Sequence, residues 1–255
     1  VFKSDILICK MWQKRAFFAC LIAIVLRKKF QVIIVGDPSV SAGLRRDLIK
    51  NDFLRTLASR VVYFITRTII KQSTVATYVS ENLRSKYGRS EKAVVACENW
   101  IEKSKINTYA QIVEKKNLTV ISNFSNDRPL RILYAGRLIA EKGLFLLADA
   151  LGLIDSKIHD MIELRLVGSG KDQDGLIKSF AELGIKCSFL GLVPSGSSAL
   201  YNQYLWADVF VLPSFSEGMP LCLVEAGSFG CASIATRVGG IPELIEEGIN
   251  GYLIE

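Results

Sequence analysis

Short apolar, β-branched runs alternate with helical patterns along nearly the whole chain. In the first half, residues 5–9, 31–35 and 75–80 have the near-continuous apolar character of strands buried on both faces. Residues 12–26 and 44–71, between them, carry helical patterns. The alternation is cleaner in the second half. Strands are expected at 131–135, 162–167, 187–190, 209–212, 232–235 and 251–254, and helices at 141–153, 172–183, 199–207, 220–229 and 241–246. This alternation predicts an α/β fold of parallel sheets with helices on both faces. Residues 97–116 are less regular, and no internal repeat or low-complexity tract is present.

Half of the 255 residues are apolar. That is enough for one large core or two moderate ones, and too much for a disordered chain. No run of about 18 uncharged apolar residues occurs, so no membrane-spanning helix is expected. The nearest approach, residues 16–26, is flanked by Lys14, Arg15, Arg27, Lys28 and Lys29 and is read as a buried helix. Residues 1–10 mix acidic and basic side chains and do not follow a signal-peptide pattern. Cys9, Cys20, Cys97, Cys187, Cys222 and Cys231 form no CxxC pair, and His159 stands alone. A structural zinc site therefore has no ligand set. Scattered cysteines fit small buried positions in a reducing cytosol.

Charge changes the picture. Residues 1–128 hold 23 basic against 10 acidic side chains, a net charge of +13. Residues 129–255 hold 9 against 15, a net charge of −6. This asymmetry suggests two domains, 1–128 and 129–255, divided at the polar, proline-ended stretch 122–129. A basic half suits nucleic acid or an anionic membrane, the alternative being a solvated basic surface. Within residues 44–71, Arg60, Arg67 and Lys71 recur on one helical face, with Val61, Val62, Phe64, Ile65, Ile69 and Ile70 filling much of the rest. That is the pattern of a basic helix lying on anionic lipid, or of a core helix with a solvated basic edge.

Four constellations carry chemistry, all in the second half. After the strand ending at Ala135, Gly136-Arg137 and Lys142-Gly143 place two cations where a strand turns into a helix. Arg137 suits forked contact with a diphosphate, and Lys142 suits a point-charge contact. Gly168-Ser169-Gly170 follows the next strand and lets a ligand approach the backbone, or makes a plain tight turn. In the third constellation, Glu217-Gly218-Met219-Pro220-Leu221 leads into a helix that carries Glu225. The helix start offers N–H groups to an anion, and the two carboxylates can accept from sugar hydroxyls. Gly239-Gly240-Ile241-Pro242-Glu243 forms the fourth, a second candidate anion cradle or a structural turn.

These residues resemble the donor-binding domain of family 4 of the retaining glycosyltransferases. The likeness runs through Gly136-Arg137, Lys142-Gly143, Gly168 and Gly170, Phe189-Leu190-Gly191, Ala207-Asp208-Val209, Pro213-Ser214, the Glu217 and Glu225 pair, and Gly239-Gly240-Ile241-Pro242-Glu243. Ala232 departs from it, standing where many relatives carry proline. Residues 5–35 resemble the family's strand–helix–strand pattern more faintly, and Val79-Ser80-Glu81-Asn82-Leu83 its strand-to-helix step. Val35-Gly36-Asp37-Pro38 stands where many relatives place a histidine, and is similar to the Gly-Asp-Pro of a polysaccharide-synthesis subgroup. The bland alternative there is a turn-forming Asp-Pro.

The resemblance implies a GT-B fold, two Rossmann-like parallel-sheet domains facing across a cleft. Both are expected to be incomplete, without the first strand and loop and without the closing helices. It implies retaining transfer from a nucleoside diphosphate sugar to a sugar or lipid-linked glycan hydroxyl, in cell-surface polysaccharide synthesis at the cytoplasmic face of the membrane. Glu217, Arg137, Lys142 and Asp37 would serve catalysis. Gly136, Gly168, Gly170, Gly218, Met219, Pro220, Leu221 and Glu225 would join the first three in holding the donor, Glu225 at the ribose and Glu217 at the donor sugar. No cofactor or metal is expected. One rival, a nicotinamide-dependent oxidoreductase, lacks the three-glycine fingerprint. The other, a nucleic-acid-binding protein, lacks aromatics interleaved with its cations.

Overall fold

A computed structural model describes residues 6–11, 14–43, 49–88, 93–96 and 129–255. The chain divides into two units. One comprises Val1–Glu98 with the short segments Ser216–Met219 and Val238–Glu243. The other comprises Asn99–Phe215, Pro220–Arg237 and Leu244–Glu255.

In the first unit, strands β1 (Ile6–Lys10), β2 (Lys29–Ile34), β3 (Val75–Tyr78) and β4 (Ala93–Val95) pair in parallel in the order β1-β2-β3-β4. Phe30, Val32 and Ile34 of β2 and Tyr78 of β3 are buried with Ile69, Leu83 and Tyr87 of the covering helices. The long helix runs Asp52–Gln72 rather than from 44. The Asn51 side chain accepts from the Leu54 N–H and so sets its start, while residues 44–48 lie outside the described ones. Its Thr66, Ile69 and Ile70 are buried, while Leu54, Leu57, Val61, Phe64 and Ile65 form an exposed stripe at helical spacing. Ile69 and Ile70 thus belong to the core, as the core-helix alternative has it, while the rest of the apolar stripe is exposed. Strand β3 stops at Tyr78. Ser80 instead caps the helix Glu81–Tyr87 through the Leu83 N–H.

Two more regions differ from the sequence-based expectation. The helix Lys14–Val25 is buried along only one side, at Cys20 and Ala23, while Phe18 and Val25 are 68% and 79% exposed. Cys9 and Cys20 are not scattered singly. They touch, and burial together with that contact pushes the Cys20 thiol up to about 12. Cys97 and most of the boundary stretch 122–129 lie outside the described residues. Among the described residues, no helix is long and apolar enough to cross a membrane.

The second unit holds a six-stranded sheet of β5 (Leu130–Ala135), β6 (Ile162–Val167), β7 (Lys186–Gly191), β8 (Val209–Leu212), β9 (Ala232–Thr236) and β10 (Gly251–Ile254). Its order is β10-β9-β8-β5-β6-β7, and every pairing is parallel. The chain winds outward from β5 to β7, returns to the centre, and winds the other way from β8 to β10. The two halves meet through Ile132 opposite Val209 and Leu133 opposite Phe210. Every strand expected in this half is present. The helix expected at 141–153 is split by Gly143, whose left-handed φ of 69° ends the short 3-10 turn Ala140–Lys142 and starts the helix Leu144–Gly152. The helix expected at 241–246 is only the 3-10 turn Ile241–Glu243. His159 is buried, with Nδ1 3.0 Å from the Leu183 carbonyl oxygen and Nε2 2.9 Å from that of Leu151. It ties two helix ends together.

Candidate active site

An open doubly wound sheet binds ligands outside the carboxyl ends of its strands, where the winding reverses. In the second unit that place lies between β5 and β8. The loops leaving β5, β6 and β8 interlock there by backbone. A Cβ at Gly168 would stand 1.8 Å from the Gly136 carbonyl oxygen, one at Gly170 2.1 Å from that of Leu138, and one at Gly143 1.8 Å from that of Pro213. No side chain fits those gaps, so the approach itself demands glycine. Hydrogen bonds close the same contacts. Leu138 N–H donates to Ser169 O at 2.9 Å, and Phe215 N–H to Glu141 O at 2.9 Å. The Asp172 carboxylate accepts from Ala140 N–H at 2.7 Å. Gly168 and Gly170 therefore pack loop against loop.

This scaffold carries the two expected cations on one loop. Arg137 is exposed and its carbonyl accepts from the Tyr134 hydroxyl at 2.8 Å, while Lys142 is half-buried in the 3-10 turn. Beyond β8 the chain enters the helix Leu221–Ser228. Pro220 stands at its N-cap, and no side chain caps it by hydrogen bonding. One turn in, Glu225 is buried, and its Oε2 accepts from the Tyr204 hydroxyl at 2.6 Å. Burial raises the Glu225 carboxyl above its ordinary value, opposed by the Tyr204 bond. Tyr204 itself is pushed up by burial and by its acidic neighbours.

Glu217, Gly218 and Met219 belong to the first unit by their contacts. A Cβ at Gly218 would lie 2.0 Å from the Val35 carbonyl oxygen, at the end of β2. The Gly240 N–H donates to Gly218 O at 2.6 Å, and Gly239 leaves no room for a Cβ beside Glu217 O. Glu217 is half-buried on this backbone support. The Glu243 carboxylate accepts from the N–H groups of Glu81 and Asn82 at 3.1 and 2.9 Å. The Ile241–Glu243 turn is too short to focus a helix dipole, and its own carboxylate binds the start of another helix.

Asp37, also in the first unit, is buried and well supplied with donors. Its Oδ1 accepts from Ser39 N–H at 3.0 Å, Ser39 hydroxyl at 2.7 Å, Val40 N–H at 3.2 Å and Tyr87 hydroxyl at 2.6 Å, and Oδ2 accepts from Lys86. Burial alone would raise this carboxyl, but the bonds from Lys86, Tyr87 and Ser39 outweigh it and hold it below its ordinary value. This is how a turn-forming Asp-Pro behaves, since the side chain starts the helix Pro38–Gly43.

Sequence reasoning missed Tyr204. It lies 21 residues before its carboxylate partner and reads as one more apolar position on the helix Ser198–Trp206. Asp172 was missed as well, taken only as the start of a helix. Among the described residues no three His, Cys, Asp or Glu side chains gather as a metal site would need.

Residues 115–255 match the family described as Glycosyl transferases group 1. The chain is 33% identical to the sulfoquinovosyl transferase SQD2 of Arabidopsis thaliana over 136 residues, 52% of this chain and 25% of that protein. It is 30% identical to the amylovoran biosynthesis glycosyltransferase AmsK of Erwinia amylovora over 156 residues, 58% of this chain and 38% of that one. The chain thus spans less than half the length of these relatives. HepE from Anabaena, solved with UDP, superimposes with a TM-score of 0.66 at 18% identity, over 97% of this chain and 64% of that one. A likeness at that identity shows the fold, the parallel α/β architecture of the GT-B type.

Proposed function

Because the chain belongs to the group 1 glycosyl transferases, we propose that it moves a sugar from a nucleoside diphosphate donor to a hydroxyl acceptor, with retention at the anomeric carbon. The observation that carries this reading is the interlocked loop scaffold at the β5/β8 reversal, with Arg137 and Lys142 on one arm and the Glu225 helix on the next. As the bond from the anomeric carbon to the diphosphate breaks, negative charge grows on the departing phosphate. Fixed cations and helix-start N–H groups stabilise such charge without a metal ion. Arg137, Lys142 and the N–H groups following Pro220 take that role. Glu225 accepts from the ribose hydroxyls and Glu217 from those of the donor sugar. Gly136, Gly143, Gly168 and Gly170 act by shaping the loops. Asp37 acts by fixing a turn, its oxygens being taken by its own neighbours.

HepE was solved with UDP, which makes a uridine nucleotide the first probe. AmsK is named for amylovoran biosynthesis, in keeping with a polysaccharide role, and the proposed place of action is the inner face of the cytoplasmic membrane. The partner there is an anionic lipid surface. The exposed stripe Leu54, Leu57, Val61, Phe64 and Ile65 has Arg60, Arg67 and Lys71 along one side, by helical spacing. The acceptor is a sugar or lipid-linked glycan hydroxyl.

Titration with UDP-, GDP- and ADP-sugars tests the reading, followed by kinetics on the preferred one. Glu217→Gln is expected to lower turnover, and Glu225→Gln to weaken donor binding. Binding of none of the three nucleotide sugars, or of a nicotinamide dinucleotide in preference to them, would sink it.

A further inference from the structure

We propose that Tyr204 is a positioning residue for nucleotide binding: its hydroxyl holds one oxygen of Glu225 and so fixes where the other oxygen is offered to the paired hydroxyls of a ribose. This rests on the reading of Glu225 as a nucleotide ligand.

A buried glutamate has three side-chain torsions to settle, and a carboxylate that turns cannot meet two adjacent hydroxyls at once. Among the described residues, Tyr204 gives Glu225 its one side-chain hydrogen bond, at 2.6 Å, the length of a charge-assisted O–H···O⁻ contact. Tyr204 has no freedom of its own. Its ring is fully buried, lies parallel to Phe229 at 7° and 5.9 Å, and meets Phe210 at 5.9 Å. The Cys231 thiol donates to its carbonyl at 3.1 Å. The rigidity of that aromatic stack thus reaches Glu225 through one hydrogen bond. The same bond affects ionisation. Burial disfavours the Glu225 carboxylate, while donation from Tyr204 favours it. Tyr204 therefore keeps Glu225 an acceptor as well as an oriented one. Among the described residues, the other titratable groups around the pair are the thiols of Cys222, on the Glu225 helix, and Cys231, ahead of β9.

The test is calorimetric titration of the chain with UDP, GDP and ADP across a pH series. It compares the parent, Tyr204→Phe, Glu225→Gln and the double variant, with thermal unfolding as the check on folding. Tyr204→Phe keeps the aromatic stack. It is expected to weaken the preferred nucleotide about three- to ten-fold, the scale of one hydrogen bond. In the Glu225→Gln background the same change should add less than about two-fold, because the two residues act as one. Affinity should fall on acidification as Glu225 takes a proton, and in Tyr204→Phe that fall should begin at higher pH. The nucleotide's own phosphate titration is common to both curves. A 3-fluorotyrosine at position 204, a stronger donor of the same shape, should move the fall to lower pH, and it serves if Tyr204→Phe does not fold. Parent-like affinity in Tyr204→Phe, an equal penalty with and without Glu225, or an unmoved acid limb each overturns the proposal. If Glu225→Gln binds as the parent does, or the parent binds none of the three, the reading of Glu225 beneath it fails instead.

Discussion

Asp37 and Glu225 are buried to the same extent, each 7% exposed, and their carboxyl groups are driven in opposite directions. Asp37 receives five hydrogen bonds from Ser39, Val40, Tyr87 and Lys86 and is held below its ordinary value. Among the described residues Glu225 receives one, from Tyr204, and is held above it. Donor supply separates a carboxylate that fastens a fold from one that still has capacity for a ligand. Their surroundings follow suit. Asp37 closes a turn after β2 in a sheet whose described strands run in sequence order, with no reversal. Glu225 stands beside the reversal between β5 and β8.

Asp37→Ala leaves the buried Tyr87 and Ser39 hydroxyls without their acceptor, and should cost about 2 kcal/mol of stability in urea unfolding. Nucleotide affinity, measured well below the unfolding midpoint, should stay within about two-fold of the parent. A tenfold loss of affinity with the fold intact would make Asp37 a ligand after all. On the other side, Arg137→Ala and Lys142→Ala should each weaken nucleoside diphosphate binding by about 1.5–3 kcal/mol, with little change in unfolding. If both bind as the parent does, the diphosphate is held elsewhere.

Strand placement was legible in the second half because strands buried on both faces leave uninterrupted apolar runs. Residues 162–167, 209–212 and 251–254 coincide with β6, β8 and β10. The helix Pro38–Gly43 and the strand β4, with six and three residues, are too short to show any period. The start of the long helix was misplaced because periodicity alone ran past the Asn51 cap. At the site, the glycines and carboxylates stood out by residue type. What each does depends on partners far along the chain: Tyr87 for Asp37, Tyr204 for Glu225, Pro213 for Gly143. No local spacing encodes those meetings.

Two smaller effects sharpen the contrast. Charge reversal of Arg60, Arg67 and Lys71 should reduce binding to anionic vesicles by about 1 kcal/mol per cation at low salt, leaving nucleotide affinity alone. Equal sedimentation with neutral and anionic vesicles would count against an electrostatic role. The pH dependence of stability should be the least of these effects, with opposite signs at the two carboxylates. Asp37 is depressed on folding, so its contribution is present above the unfolded carboxylate value and is lost as pH falls through the folded one. Glu225 is raised on folding, so its cost is present at neutral pH and is relieved as acid is added. Urea unfolding should therefore show a shallower acid loss in Asp37→Asn below about pH 4 and a steeper one in Glu225→Gln between about pH 7 and pH 4. Matching slopes in the two variants would remove the distinction.

The winding of the second sheet bears on how it is made. Strands β5, β6 and β7 are consecutive, as are β8, β9 and β10, and the two triplets pair strand to strand where Ile132 and Leu133 meet Val209 and Phe210. On a ribosome the first triplet emerges with its innermost strand uncovered along one edge, and stays so until Val209 leaves the exit tunnel. Pairing across such a separation is slow, and an open apolar edge is the surface that holdase chaperones and neighbouring nascent chains seize. Translation speed through residues 192–208 thus sets how long the centre of the sheet stands unguarded.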